Sequence, residues 1–285
     1  MRLANADGRA VLVLDDTTGA DVATASEGKF GPEPDSALRD WDAFLAWAST
    51  ADLTPDTTLD PETLGCPSPC PRQIFAIGLN YRDHAEEAGL AVPERLPPVF
   101  TKFVTSLAGP RTTVVLPSGG NTDWEVELVV VIGREASHVP EHRAWEHVAG
   151  LAVGQDLSER VAQLSGPAPQ FSFGKSHAGF APVGPWLVTP DELTDRDDLA
   201  LSCSIDGHVV QSARTSDLLY PVGRLVSELS GTVRLLPGDL IFTGTPAGVG
   251  LTRTPPRFLQ PGERLTSRID GIGELTQVFV AAPRE

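Results

Sequence analysis

The sequence predicts a β-rich α+β protein, and three observations lead to this fold class. Short apolar runs rich in Val and Ile recur along the 285 residues, bounded by Gly- and Pro-containing turns, which is typical of buried strands. Helical patterns are fewer than strand patterns and do not alternate regularly with them. No dinucleotide-binding fingerprint follows a strand. A chain of this length can bury a sizeable core as one large domain, or as one domain with a small appendage.

Residues 1–70 are expected to form a small N-terminal α/β unit. A strand is predicted over 9–14, and apolar residues at helical spacing predict a helix over 36–48. The Thr-, Asp- and Pro-rich stretch 53–71 is interpreted as a linker. No group of residues with catalytic potential is found in this unit, so the chemistry is expected in a second domain, residues 71–285.

The second domain is predicted to consist mainly of strands. Turn signals such as Asp206-Gly207 and Pro237-Gly238 separate its apolar runs. The predicted strands are 74–78, 114–116, 125–132, 151–155, 186–188, 199–205, 239–243 and 275–280. The predicted helices are 80–88, 141–148, 157–164 and 218–230.

Composition excludes several classes of function. The net charge of −16 opposes non-specific binding to nucleic acid or to an anionic membrane surface. Three cysteines argue against a disulfide framework and fit a reducing cytoplasm, and Cys66 and Cys70 lack a second ligand pair at zinc-site spacing. There is no signal-peptide pattern and no apolar run long enough to span a membrane. A cytoplasmic enzyme that acts on small molecules is expected.

Three carboxylates give the strongest functional signal. Glu125 and Glu127 belong to one predicted strand, so their side chains point to the same face, which becomes apolar further along the strand. Asp156 ends the predicted strand 151–155. Adjacent carboxylates repel one another unless a proton or cation lies between them, and an all-oxygen cup suits Mg²⁺, Mn²⁺ or Ca²⁺. The alternative is a strand with one solvated face.

A histidine–carboxylate pair follows the strand 74–78. His84 and Glu87 are three residues apart and would be neighbours on one face of a helix, where the carboxylate would make the imidazole a better base. The alternative is an exposed polar helix. Gly89 ends this short element, which could therefore serve as a mobile lid.

Three further stretches carry candidate binding groups. Arg160 and Gln163 follow Asp156 at helical spacing, and an arginine there could bind a substrate carboxylate, although a surface helix is an equal alternative. Lys175 lies in a Gly- and Phe-rich stretch where it would need a carboxylate or oxyanion partner, unless it extends to solvent. The glycines around Thr245, in 243–250, allow a ligand near the backbone, or form only a tight turn.

Two other patterns are rejected. His138 and His142 match the letters of an inverted zinc-protease motif, but Pro140 lies between them in a polar loop. No Gly-x-Ser-x-Gly motif exists, and Cys203 has no base nearby in the sequence, so hydrolysis by a serine or cysteine nucleophile is not expected.

Over roughly residues 70–285 the chain resembles the fumarylacetoacetate hydrolase family. The order and spacing of the matching stretches are highly specific. These are Ala-Ile-Gly-Leu-Asn-Tyr-Arg-Asp-His-Ala-Glu-Glu-Ala-Gly (76–89), Trp-Glu-Val-Glu-Leu (124–128), Gly-Gln-Asp-Leu-Ser-Glu-Arg (154–160), Phe-Gly-Lys-Ser (173–176), Ala-Pro-Val-Gly-Pro-Trp-Leu-Val-Thr (181–189) and Pro-Gly-Asp-Leu-Ile-Phe-Thr-Gly-Thr-Pro-Ala-Gly-Val-Gly (237–250).

The resemblance implies a β-sandwich roll, usually a homodimer, that acts on small 2-oxo acids. It implies Mg²⁺ or Mn²⁺ at Glu125, Glu127 and Asp156. The implied water-activating pair is His84 with Glu87, on a lid. Lys175 would stabilise an oxyanion, and the implied substrate-binding residues are Arg160, Gln163 and Thr245.

The resemblance favours hydrolysis of a β-diketo acid such as an acylpyruvate or fumarylpyruvate. Decarboxylation or isomerisation on the same site is the alternative, a dehydratase or lyase is less favoured, and a non-catalytic binding protein is the least favoured. His177 stands where the family often has Phe, and the segment 164–170 lies beside the expected site. Both leave the substrate open.

Overall fold

Strands form most of the regular structure, which is described for residues 1–283 by a computed structural model. Their Val- and Ile-rich sequences favour the half-buried or buried pleated surface. Within these residues the strands are β1 (Arg2–Ala6), β2 (Arg9–Val13), β3 (Thr18–Asp21), β4 (Thr57–Thr58), β5 (Leu64–Gly65), β6 (Ile74–Ile77), β7 (Val99–Thr101), β8 (Leu107–Ala108), β9 (Arg111–Leu116), β10 (Thr122–Asp123), β11 (Val126–Ile132), β12 (Val148–Gln155), β13 (Ser158–Glu159), β14 (Ala181–Val188), β15 (Ala200–Ile205), β16 (His208–Arg214), β17 (Leu240–Phe242), β18 (Arg264–Ile269) and β19 (Gly273–Ala281).

The helices are short and lie between the strands. Within the described residues they are α1 (Val22–Ala25), α2 (Pro34–Arg39), α3 (Trp41–Ala48), α4 (Arg82–Glu87), α5 (Arg160–Gln163), α6 (Phe171–Gly174) and α7 (Val222–Ser230). Single 3₁₀ segments cover Val104–Ser106, Glu141–His147, Pro190–Glu192 and Thr215–Asp217. No helix of this part of the chain combines the length and apolar character needed to cross a bilayer.

Two sheets contain nearly all of the strands. The larger has the order β4-β3-β2-β1-β14-β12-β11-β17-β6-β7, with β5 beside β1 and β8 beside β14. The smaller has the order β16-β15-β18-β19-β9, and β10 pairs with β13 separately. The predicted sheet-rich α+β class is confirmed, and every strand predicted for the second domain is present with shifted ends.

The N-terminal residues join the larger sheet. β1 pairs antiparallel with β14, with Leu3 opposite Leu187, and Leu3 packs in the same apolar cluster as Val129 and Phe242. The stretch 53–71, interpreted as a linker, contains the short strands β4 and β5. A domain boundary near residue 70 therefore stays a prediction, as does the roll geometry.

Several predicted helices differ from the structure. The helix expected over 141–148 is the 3₁₀ segment Glu141–His147, and the helix expected over 218–230 begins at Val222. The helix expected over 36–48 is two helices, because the chain leaves helical geometry at Asp40, whose carboxylate accepts from the Ala43 amide at 3.3 Å. The helix expected over 157–164 begins only at Arg160. Residues Ser158–Glu159 pair with β10 instead, and the Glu159 carboxylate caps α5.

Strand β11 lies inside the larger sheet, between β12 and β17, and carries the site at its N-terminal end. Its alternate side chains enter two apolar clusters, with Leu128 and Val130 in one and Val129 in the other. Glycine at position 154 lets β12 pack against this strand, because a Cβ there would lie 2.4 Å from Val129 Cγ2. Burial on both faces explains why the run around β11 is continuously apolar, and it holds the site rigidly.

Candidate active site

Three carboxylates meet where β11 begins and β12 ends. These strands are antiparallel, so the start of one lies beside the end of the other. Glu125, Glu127 and Asp156 each present an oxygen within 4.8 Å of the others, and all three are buried. The Asp156 amide donates to the Glu125 carbonyl at 2.9 Å, which joins the two strand ends. The predicted convergence of the three side chains is found in the structure.

Lys175 is inserted between two of these carboxylates. Its Nζ lies 2.6 Å from Glu125 Oε2 and 2.6 Å from Asp156 Oδ2. Burial works to lower the pKa of Lys175, but the carboxylates of Asp156 and Glu125 outweigh it and raise that pKa. Burial likewise opposes ionisation of Glu125, yet Lys175 and Arg160 lower its pKa to about 2. Lys175 is therefore paired and buried, and it does not extend to solvent.

Glycine brings Lys175 to this position. Helix α6 ends at Gly174, where an added Cβ would lie 2.6 Å from the Gln163 amide nitrogen and 2.7 Å from the Glu159 carbonyl oxygen. Only a residue without a side chain allows α6 to approach α5 this closely. The Phe-Gly-Lys sequence is thus explained by packing as well as by chemistry.

No lysine or arginine of the described residues pairs with Glu127, and its unpaired charge makes the carboxylate cluster suitable for a metal ion. Its Oε2 accepts one hydrogen bond from the Gly244 amide at 2.7 Å, and no Lys or Arg among residues 1–283 forms a salt bridge with it. Burial, together with the charges of Asp156 and Glu125, raises the pKa of Glu127 well above its ordinary value. Three carboxylates with one uncompensated charge suit a hard divalent cation such as Mg²⁺ or Mn²⁺.

A second lysine, Lys102, was not predicted as a site residue. Its fully buried Nζ lies 2.5 Å from Asp156 Oδ1 and also donates to the carbonyl oxygen of Lys175. Burial lowers the pKa of Lys102, and the Asp156 carboxylate opposes this effect. Its position between Phe100 and Phe103 is the same signal that identified Lys175, a lone lysine in an apolar stretch, and could have revealed it.

Replacing Lys102 by Met is expected to destabilise the metal-free protein by on the order of 3 kcal/mol, because the buried Asp156 loses a cation partner. Mn²⁺ should reduce the loss, since a bound cation restores the charge. Urea unfolding with EDTA and with Mn²⁺ measures both effects. Lys29→Met, at an exposed lysine, is the control. Equal stability of Lys102→Met and the parent protein in EDTA would show that the contact contributes nothing.

Arg160 and Gln163 are together in the site, as predicted, but the arginine is already engaged. Its Nη2 donates to Glu125 Oε1 at 2.7 Å and to Asp123 Oδ2 at 2.8 Å, its Nε donates to Asp123 Oδ2 at 3.0 Å, and its Nη1 donates to Gln163 Oε1 at 2.8 Å. Burial opposes these charges, yet Glu125 and Asp123 raise the pKa of Arg160. One Nη1 hydrogen remains free of these contacts, so the arginine is not an open bidentate fork.

His84 and Glu87 form the predicted pair. His84 Nδ1 lies 3.0 Å from Glu87 Oε1, and the same carboxylate accepts from the Gly248 amide at 3.0 Å. Burial works to raise the pKa of Glu87, but the hydrogen bonds from His84 and Gly248 lower it. The pair therefore has an ionised carboxylate that fixes the ring, and α4 is tied to the loop that follows β17.

Thr245 lies in the site with its hydroxyl committed to the backbone. The hydroxyl donates to the Val126 carbonyl at 3.0 Å and accepts from Gln211 Nε2 at 2.8 Å. Gln211 in turn accepts from the Val126 amide, so these residues brace the start of β11. The adjacent Gly244 has φ +104°, which favours glycine and directs its amide to Glu127.

One cavity of about 170 Å³ is lined by most of the predicted site residues. Glu87, Glu127 and Asp156 are not among the residues that line it. Six of the nine predicted site residues line it, namely His84, Glu125, Arg160, Gln163, Lys175 and Thr245.

Two of the remaining sequence features lie away from this cavity. His177 packs on the Phe180 ring with centroids 5.0 Å apart and lines a different depression. Among the cysteines, Cys66 is buried and Cys70 is exposed.

Comparison with known proteins agrees with this geometry. The family described as "Fumarylacetoacetate (FAA) hydrolase C-terminal" matches residues 73–280. A Burkholderia ambifaria protein named "Putative hydrolase" is 44% identical over 240 residues, which are 80% of this chain and 84% of that protein.

Solved structures are also similar. A "putative HpcE protein" from Mycobacterium smegmatis is 58% identical with a TM-score of 0.95, covering 99% of this chain and 100% of that one. A "probable 2-hydroxyhepta-2,4-diene-1, 7-dioateisomerase" from Mycobacterium abscessus is 30% identical with a TM-score of 0.83, covering 99% of each chain. The maleylpyruvate hydrolase of Sphingobium sp. SYK-6, in complex with manganese(II) ion and pyruvate, is 28% identical with a TM-score of 0.77, covering 99% and 100%. The chain belongs to the fumarylacetoacetate hydrolase family.

Proposed function

We propose that this protein is a divalent-metal-dependent hydrolase that cleaves a C–C bond in a β-diketo acid of the acylpyruvate or fumarylpyruvate type. The overall reaction adds water to R–CO–CH₂–CO–COO⁻ and yields R–COO⁻, pyruvate and a proton. The observation that carries this proposal is one cavity lined by the His84 imidazole, a metal-type carboxylate and Lys175. A base, a cation site and an oxyanion partner are the groups that this cleavage requires.

The reaction expels a carbanion, which is feasible only when its charge is delocalised as the enolate of pyruvate. Glu125, Glu127 and Asp156 would hold the divalent ion, which when bound acts as a Lewis acid toward the 2-oxo acid end of the substrate. Mg²⁺ and Mn²⁺ both suit these oxygen donors, and the similarity to a hydrolase solved with manganese(II) supports the choice of metal class.

His84 is the proposed general base. Its Nδ1 is held by the Glu87 carboxylate, so Nδ1 carries the hydrogen and Nε2 is the acceptor. Nε2 would take a proton from the water that attacks the distal carbonyl carbon. The C–C bond then breaks, its electron pair moves to the departing methylene as an enolate, and the proton returns to that carbon to form the methyl group of pyruvate.

Lys175 and Arg160 are proposed to stabilise negative charge on the substrate. Lys175 has two of its three hydrogens directed at Glu125 and Asp156, which leaves one for a substrate oxygen. Arg160 keeps one free Nη1 hydrogen beside Gln163. Because both cations are held rigidly in a largely buried site, little reorganisation is needed when charge develops.

We expect purified protein with Mn²⁺ or Mg²⁺ to remove the enol absorbance of acetylpyruvate and release pyruvate and acetate in equal amounts. EDTA should abolish turnover, and added metal should restore it, because the carboxylate cluster holds the ion. Ultraviolet spectroscopy with a coupled pyruvate assay measures the result. Turnover that survives EDTA and exhaustive dialysis would contradict the metal-dependent mechanism.

Isomerisation is the second candidate, and the similarity to a "probable 2-hydroxyhepta-2,4-diene-1, 7-dioateisomerase" favours it. The His84–Glu87 pair could equally move a proton between carbons without water attack. A change in the absorbance of a hydroxymuconate-type diene without pyruvate release would identify an isomerase. Loss of carbon dioxide from oxaloacetate as the sole reaction would identify a decarboxylase.

A further inference from the structure

We infer that the part of the substrate beyond its 2-oxo acid end is uncharged and apolar, an alkyl or aryl acyl group in place of a second carboxylate. This inference rests on the proposed hydrolase function, and it narrows the substrate class of the same cavity. Three features of the structure lead to it: the apolar distal wall, the commitment of every cation that lines the cavity, and the charge balance of the buried cluster.

The wall of the cavity away from the carboxylates is apolar. It is formed by separate segments of the chain, including the residues after α4, Pro98 before β7 and the residues after α5. Leu90 and Leu164 are about half exposed at this wall, 52% and 48% respectively. Typical members of the wall are Leu79, Leu90, Leu164 and Phe171, whereas Phe100 and Leu251 line the cavity nearer the charged cluster. Thr252 contributes a hydroxyl to the lining, beside these apolar groups.

Apart from His84, the cations that line the cavity within residues 1–283 are Arg160 and Lys175. Both are bound to the carboxylate cluster, and each keeps only one hydrogen free of the contacts described above. Because both cations are bonded to the carboxylate cluster, their free hydrogens are within reach of the 2-oxo acid end, where the proposed reaction needs them. They cannot also pair with a carboxylate at the opposite end of an extended substrate.

Three other arginines from neighbouring segments do not line the cavity. Arg82 and Arg95, between β6 and β7, are exposed and do not line the cavity. Arg253 lies over the Trp124 ring and donates to the carbonyl oxygens of Val210 and Gly248. None of these three arginines therefore offers a positive charge to a ligand at the apolar wall of the cavity.

The charges of the buried cluster leave room for a single substrate carboxylate. Four buried carboxylates and three buried cations lie together beside the cavity, so one divalent ion would leave the cluster with a single positive charge. The carboxylates are Asp123, Glu125, Glu127 and Asp156, and the cations are Lys102, Lys175 and Arg160. A 2-oxo acid end adds one negative charge next to the ion. A second carboxylate would lose its water against the apolar wall without gaining a counter-charge.

The test compares two unreactive 2-oxo acids of similar shape, 5-methyl-2-oxohexanoate and 2-oxoglutarate, which differ only in an isopropyl or a carboxylate end. Calorimetry with the Mn²⁺-loaded protein should show at least about 10²-fold tighter binding of 5-methyl-2-oxohexanoate. Among acylpyruvates, kcat/KM should rise about fourfold for each methylene added to acetylpyruvate until the wall is filled. Equal binding of the two acids, or preference for 2-oxoglutarate, would overturn the inference.

A charge placed at the wall provides a second measurement. Leu164→Arg supplies a cation at the rim and should move the binding ratio at least tenfold toward 2-oxoglutarate. Val161→Arg adds the same charge on α5 at a residue that is 52% exposed and does not line the cavity, and it should leave the ratio unchanged. If Leu164→Arg leaves the ratio of the two binding affinities unchanged, the distal group of the ligand does not lie beside Leu164, and the inference is contradicted.

The hydrolase function and the apolar distal group can be refuted separately. If the protein does not cleave acetylpyruvate but still prefers 5-methyl-2-oxohexanoate, the hydrolase proposal is refuted and the inference of an apolar distal group is retained. If the protein cleaves acetylpyruvate but prefers 2-oxoglutarate, only the inference that the distal group is apolar is refuted.

Discussion

Glu127→Gln is expected to abolish tight binding of Mn²⁺ or Mg²⁺ without destabilising the metal-free protein. Glu127 is buried beside two other carboxylates, and within the described part of the chain the Gly244 amide is its one hydrogen-bond partner, so its charge is unfavourable until a cation binds. Glutamine removes that charge and keeps the shape of the side chain. In EDTA the variant should unfold at the same temperature as the parent protein or higher. With Mn²⁺, the rise in melting temperature that follows ligand binding should disappear.

Calorimetric titration and thermal unfolding together check this result. Glu228→Gln, at an exposed position of α7, is the matched control and should retain the affinity of the parent protein for Mn²⁺. Retention of full affinity by Glu127→Gln would refute the carboxylate site. A lower melting temperature in EDTA would indicate that the Glu127 carboxylate stabilises the fold by itself.

His84→Ala is expected to lower kcat/KM for an acylpyruvate by ~10²–10⁴-fold, the usual contribution of a general base. Metal binding should be retained, because the substitution leaves the three clustered carboxylates unchanged. The imidazole contacts Glu87, which is not one of them. Steady-state kinetics and Mn²⁺ calorimetry on the same sample separate loss of the base from loss of the fold.

His142→Ala is the control, since this histidine is exposed on a 3₁₀ segment outside the cavity. Glu87→Gln should give a smaller loss than His84→Ala, because it removes the group that orients the ring but leaves the ring itself. A rate for His84→Ala within a few-fold of the parent protein would eliminate the imidazole as the base and favour water activation by another group.

Local sequence patterns were sufficient for the fold class and for the strands around the site. The apolar run around Glu125 and Glu127 predicted a strand, with a solvated face as the alternative for the two carboxylates. Burial of every residue of Val126–Ile132 removes that alternative. Spacing on a short helix also predicted the contact between His84 and Glu87. These predictions succeeded because each depends on residues within one element, where geometry follows directly from the backbone.

Positions of element ends were harder to predict, because they depend on partners distant in sequence. The predicted helix over 157–164 begins at Arg160 because Ser158–Glu159 pairs with β10, some thirty-five residues earlier in the chain. Likewise, pairing of β1 with β14 ties the N-terminal residues to the larger sheet, which composition did not reveal. Strand pairing depends on residues far apart in the sequence, so a local sequence pattern does not predict which strands pair.

By itself, the sequence determined the β-rich α+β class, and it predicted a carboxylate cluster, a histidine–glutamate pair and a paired lysine, each with an alternative left open. Only the tertiary structure decided between these alternatives and showed how the charges are paired. It placed Lys102 and Lys175 against Asp156 and Arg160 against Asp123, and among residues 1–283 it gave Glu127 no salt bridge to a lysine or arginine. The physical reason is that the energy of a buried charge depends on which opposite charges lie within a few ångströms of it, and folding brings these together from segments far apart in sequence.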